Sequence, residues 1–247
     1  MENNSLRLEL RYVAERIKTR TGMQRKLAAT AWSPKVAHLP PGERFLVISP
    51  HPDDDVIGCG GTIAKLVGEG KKVKVTYPTL QPGNGYQAET RRNEAVEALG
   101  MLGVTDYSFN DAQRPSDQEI ERLLGQELKA FAPDTILLPN PVDNNDQHMQ
   151  FSLCAVRVLK GLRNAPDVML YEVWQPIAPN LIIETSTFFG VKVEALRKHQ
   201  SQLRQMDFEK AVTGLDDYRA AMSGIKGKAE AFLFLDARQF CDLTLDQ

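Results

Sequence analysis

A chain of 247 residues with a formal charge of −2 suits one large domain or two small ones. It has no basic excess to draw it to nucleic acid or an anionic membrane. No apolar run approaches the roughly 20 residues of a membrane span, the N-terminus lacks the apolar centre of a signal peptide, and the three cysteines Cys59, Cys154 and Cys241 are widely separated, so a reducing, cytoplasmic location is expected.

The chain opens on a segment unlike the rest. Leu6, Leu8, Leu10, Val13, Ile17 and Leu27 give an imperfect apolar face, and Arg7, Arg11, Arg16, Lys18, Arg20, Arg25 and Lys26 make it basic. A helical extension over 1–40 is expected, packed on the body or on a second copy in a homo-oligomer; an acidic partner or a nucleotide-linked substrate is the other reading. Over 41–247 strands and helices alternate. Phe45–Ser49 is predicted as a strand, Gly61–Gly68 as a helix closed by Gly70, Lys72–Tyr77 as a strand, and Glu89–Leu102 as a helix stopped by Gly103. Asp106–Phe109 and Asp134–Leu138 are strands around a helix over Ser116–Phe131, and a helix over Met149–Leu162 precedes a strand over Val168–Val173. This alternation predicts a Rossmann-like α/β fold, a mostly parallel sheet with helices on both faces.

His51-Pro52-Asp53-Asp54-Asp55 follows the first strand directly, which puts an imidazole and three carboxylates at a strand's carboxyl end, where open α/β sheets keep their ligand crevices. Three protein ligands and a water make a catalytic zinc site. His51 and Asp54 are the candidate ligands within this turn, and Asp53 stays off the ion as the base for its water. Pro52 restricts the turn. The other reading makes the acids a helix cap and dipole partner. Cys59 is either a small packing residue or, as a thiolate, a further ligand. Only four histidines exist, and His148, after the turn-rich loop Pro139–Gln147 beyond the fourth strand, is the candidate third ligand; the alternative is that it opens the next helix. Such a His/His/Asp set suits zinc and also Fe²⁺ or another divalent ion.

The stretch Ser49–Gly61, SPHPDDDVIGCGG, resembles the signature of the LmbE-like or PIG-L deacetylase family. Arg91-Arg92-Asn93-Glu94-Ala95, Leu102-Gly103-Val104, Tyr171-Glu172-Val173-Trp174 and Lys192 through Gln202 carry the likeness on, so that it covers roughly residues 44 to 235. The resemblance implies the LmbE-like deacetylase fold and a zinc-dependent hydrolase that removes an acetyl group from the nitrogen of an N-acetylglucosamine-type sugar or conjugate. It also implies zinc on His148, which stands last in a loop that in the family ends HPDH. Here Asn145, Asp146 and Gln147 replace His, Pro and Asp. Asn145 therefore stands where the family has a histidine suited to donate to an oxyanion, and His199 is a second candidate for that role. Arg91 and Asp111 fall where the family contacts the sugar; their plain readings are an ion pair with Glu94 and an ordinary turn. Trp174 suits a pocket wall or the core. The competing functions are an amidase on a larger sugar-linked amide, a nucleotide-binding protein, against which the missing GxGxxG pattern speaks, and a non-catalytic relative with an altered loop.

Overall fold

The computed structural model describes residues 18, 20–22, 34–79, 85–110, 112 and 114–243. Its strands are β1 (Lys35–Ala37), β2 (Arg44–Ile48), β3 (Lys72–Tyr77), β4 (Asp106–Phe109), β5 (Thr135–Pro139), β6 (Asp167–Tyr171), β7 (Leu181–Glu184) and β8 (Ala229–Leu235). They form one sheet in the order β1-β7-β8-β6-β5-β2-β3-β4. The pairings are parallel except where β8 lies antiparallel between β6 and β7. The helices are α1 (Asp54–Gly68), α2 (Gly85–Leu102), α3 (Asp117–Phe131), α4 (Asp146–Lys160), α5 (Phe189–Leu196), α6 (Gln200–Leu203), α7 (Phe208–Met222) and α8 (Ala237–Asp242), with a 3₁₀ turn at Ser186–Phe188. Among the described residues no helix is long and apolar enough to cross a membrane.

Strand side chains alternate between two faces, and each face has its own core. Phe45, Val47, Val75, Tyr77 and Leu137 pack with Ile63 of α1, Leu99 of α2 and Leu196 of α5. Leu46, Ile48, Ile136, Leu138 and Leu170 pack with Leu124 of α3, Phe151 of α4 and Phe240 of α8. The sheet is thus covered on both sides, as the unbroken apolar runs of β2 and β5 require.

Several boundaries differ from the sequence expectation. Helix α1 begins at Asp54, not Gly61, because Gly58, Gly60 and Gly61 are not a turn but contact points inside the helix. A Cβ at Gly58 would lie 2.3 Å from Tyr171 Cδ2 and 2.6 Å from Glu172 O. The backbone breaks from helical geometry at Cys59, and the amides just beyond it, Gly61 N and Thr62 N, donate to Glu230 Oε1 and Oε2 at 2.8 and 2.7 Å. Lys192 pairs with Glu230 at 2.6 Å and with Asp216 at 3.0 Å, so the carboxylate serving the kink is itself neutralised. Helix α4 likewise starts earlier than Met149, at Asp146, which puts His148 in its first turn. Lys35–Ala37, inside the stretch expected to be helical, is the edge strand beside β7. Most of that stretch, and Asp111, lie outside the described residues.

Candidate metal centre

Strand β2 is the topological switch point. The chain runs outward from it to β3 and β4, then returns to its other side with β5 and β6. The crevice at the carboxyl ends of β2 and β5 is the place such sheets offer a ligand. His51, Asp53 and Asp54 follow β2, and His148 follows β5.

His51, Asp54 and His148 come together there, each buried, with one potential ligand atom apiece all within 4.8 Å of one another. Asp54 Oδ2 is 3.0 Å from His51 Nδ1 and 3.0 Å from His148 Nε2, and the two ring nitrogens are 3.3 Å apart. The outward nitrogens also have partners: His148 Nδ1 is 2.6 Å from Asp143 Oδ2, and His51 Nε2 is 2.6 Å from Gln147 Oε1. Acceptors on the outside keep the proton there in a neutral ring and leave lone pairs inside, the outer-sphere arrangement of histidines that ligate metals. Two imidazoles and a carboxylate so arranged fit a divalent cation. The charges tell the same story. Burial opposes ionisation of Asp54, but His148 and His51 hold its carboxyl well below the usual range. Burial likewise opposes a charged His148, yet Asp54 and Asp143 raise it to about 10. The pocket is built to keep opposite charges together, and a cation would take the place of those protons.

Asp53 is set apart from this trio. Its backbone has φ 143°, a conformation a non-glycine residue rarely adopts, and its side chain makes no cap to α1. The carboxylate instead lies 3.4 Å from Arg91 Nη2, which also donates to Pro52 O at 3.1 Å. Burial first, and Asp54 next, push Asp53 well above the ordinary carboxylate range, with Arg91 acting against them. Asp55 points away, taking hydrogen bonds from Tyr77 Oη at 2.9 Å and Ser49 Oγ at 3.0 Å, and burial raises it to about 6. The three consecutive aspartates therefore have three different surroundings.

Arg91 thus turns into the site. Glu94, its expected ion-pair partner, instead accepts from Ser201 N at 2.8 Å and Ser201 Oγ at 2.6 Å and so anchors α6 beside α2. Asn145 is the N-cap of α4, its Oδ1 accepting from Gln147 N at 2.9 Å. His199 precedes α6, fully buried, and neither ring nitrogen has a hydrogen-bond partner among the described residues. Burial, helped by Arg91, lowers it to about 3, so its ring is neutral at physiological pH. Cys59 is fully buried in the core and burial pushes its thiol up, which fits packing and not a thiolate ligand. Trp174 is 41% exposed, edge-on to Phe208.

Asp143 and Gln147 are the polar residues that sequence reading missed. Their turn-forming surroundings read as loop chemistry, and only the fold shows that they hold the two histidines. Arg20, read from the sequence only as part of a basic face, donates to Val142 O at 2.8 Å and to Asn144 Oδ1 at 2.7 Å and so braces the loop carrying Asp143.

Comparison with known proteins agrees with this architecture. Residues 46–159 match the family model for PIG-L, GlcNAc-PI de-N-acetylase. Diacetylchitobiose deacetylase of Thermococcus kodakarensis is 27% identical over 189 residues, covering 65% of this chain and 70% of its own. Among solved structures, a conserved protein from Thermus thermophilus superposes with a TM-score of 0.67 at 26% identity, covering 78% of this chain and 94% of its own. N,N'-diacetylchitobiose deacetylase from Pyrococcus horikoshii gives a TM-score of 0.68 at 23% identity over 80% of this chain and 85% of its own. With the sequence match spanning β2 to α4 and the fold shared beyond it, residues 46–159 carry a PIG-L (LmbE-like) family domain.

Proposed function

We propose that this protein is a metal-dependent N-deacetylase that removes the acetyl group from the nitrogen of an N-acetylglucosamine-type sugar or its conjugate. The observation that carries the reading is the convergence of His51, Asp54 and His148 with an unligated Asp53 beside them. A divalent ion held by the three, zinc by the chemistry of the set, would polarise the acetamide carbonyl and acidify a water.

The remaining work falls to side chains. Asp53 takes the proton from the attacking water and hands it to the leaving amine. A carboxyl raised by burial is suited to both halves of that task, because it binds the proton tightly enough to carry it. Arg91 holds Asp53 in place and offers its guanidinium to the sugar. With its oxygen committed to the helix cap, Asn145 has only its amide nitrogen left to donate toward the developing oxyanion. His199, neutral and without a hydrogen-bond partner among the described residues, serves as a donor or acceptor to substrate, not as a cation. Asp111 is the proposed partner of sugar hydroxyls. A second reading, an amidase on a larger sugar-linked amide, draws on the exposed ring of Trp174, which offers an apolar face to a second ring.

Metal analysis of the purified protein, followed by a free-amine assay over N-acetylated monosaccharides, disaccharides and glycoconjugates, tests site and reaction together. One ion per chain with amine release from an N-acetylhexosamine compound is expected; a loaded protein inert across the panel would sink the proposal.

A further inference from the structure

The two histidines of the metal centre are not held alike. His148 gives its outer N–H to a carboxylate, Asp143, whereas His51 faces a carboxamide, Gln147. The difference has chemical consequences. A carboxylate can only accept from a ring N–H, so it fixes one tautomer. An amide carries an acceptor at one corner and a donor at the other, and rotation about its last bond exchanges them.

We propose that Gln147 is a positioning residue for His51 and sets the tautomer of that ring. This rests on the reading of His51, Asp54 and His148 as a cation site. With its oxygen inward, as the structure has it, Gln147 accepts the Nε2–H and leaves the Nδ1 lone pair facing Asp54 and His148, ready for a divalent cation. With its nitrogen inward, Gln147 donates to Nε2, and Nδ1–H points at Asp54 Oδ2, 3.0 Å away, which closes the position to an ion. Gln147 is well placed for this. It is the second residue of α4, and its N–H is tied to the Asn145 cap at 2.9 Å, so the helix start directs the side chain toward the end of β2. A carboxylate here would hold the ion-ready ring permanently. The amide makes loading reversible, so that metal uptake is coupled to the turning of one side chain.

The test uses the full chain, stripped of metal and titrated with Zn²⁺ against a chromophoric chelator, as parent, Gln147→Leu and Gln147→Glu. Loss of an outer-sphere partner costs about 10- to 100-fold in metal affinity, and that loss is expected for Gln147→Leu. Gln147→Glu can only accept, and should bind at least as tightly as the parent. On the metal-free proteins, ¹⁵N spectra of the His51 ring should show some Nε2-protonated neutral ring in the parent and only the Nδ1-protonated one in Gln147→Leu. Affinity in Gln147→Leu within twofold of the parent overturns the proposal. So does a Gln147→Glu protein as weak as Gln147→Leu, because disturbed packing then explains both. Should the parent bind no ion, the reading of the metal centre fails, while the tautomer ratio still decides the role of Gln147: an unchanged ratio overturns it.

Discussion

At the scale of single residues, the site divides labour among neighbours of the same type. Asp53, Asp54 and Asp55 are consecutive, yet Asp54 faces two imidazoles, Asp55 faces two hydroxyls, and Asp53 faces a guanidinium. The unusual backbone at Asp53 separates them, since φ 143° swings its side chain off the helix start and toward Arg91. Asp53→Asn keeps that shape and removes the ability to take a proton. It should retain the bound ion and the parent's melting temperature while turnover falls about 10²- to 10⁴-fold, the usual contribution of a general base. Metal content and initial rates measured on one preparation check this. Turnover near the parent's would assign the proton transfer to another group.

At the scale of elements, the site depends on how closely α1 lies against β6. Gly58 allows the contact, because any Cβ there meets the Tyr171 ring and the Glu172 carbonyl. Gly58→Ala should therefore destabilise by about 1–3 kcal/mol, the usual cost of overpacking, and should weaken metal binding too, since α1 carries Asp54. Gly100→Ala is the matched control. It sits in α2 with nothing within 4 Å of the added carbon, and should stabilise by about 0.5–1 kcal/mol. Thermal melts of both variants separate the two effects; equal shifts would mean that the close approach at Gly58 is not what the glycine serves. The same position shows what the sequence hides. Glycines at 58, 60 and 61 look like a turn because nothing local reports the ring of Tyr171, more than 100 residues on. The strands β2 and β5 and the candidate metal-binding turn are legible because a buried parallel strand must be an apolar run and its end must be polar. Strands β7 and β8 are not. The direction of β8 is set by its neighbours, and Glu230 interrupts its apolar pattern to serve the kink in α1. His148 could be picked out because imidazoles are scarce, whereas Asp143 and Gln147 are common loop residues whose partners are visible only once β2 and β5 are paired.

At the scale of the whole molecule, residues from four distant stretches meet at one sheet edge, and the folded state has to bury His199 among them, as a neutral ring with no hydrogen-bond partner among the described residues. That burial should make stability depend on pH. His199 is lowered to about 3 in the folded chain, against about 6.5 when unfolded, so the unfolded chain binds the extra proton first. Stability from the neutral ring is then fully present above pH 6.5 and is lost as pH falls toward 3. Between pH 7 and pH 5 the loss should be about 2 kcal/mol by linkage. Asp55, raised to about 6, works in the opposite sense, because the folded chain takes up its proton earlier than the unfolded one. A single denaturation curve therefore cannot isolate His199, but a comparison with His199→Leu can, since Asp55 is common to both proteins. Urea unfolding of the two at pH 7 and pH 5 should show the parent losing about 2 kcal/mol more than the variant over that interval. At pH 7 the variant should be close to the parent, because an apolar side chain replaces a polar one that has no hydrogen-bond partner among the described residues. Equal acid losses in the two would show that the imidazole takes up a proton in the folded protein, and would return His199 to the role of a charged donor beside Arg91.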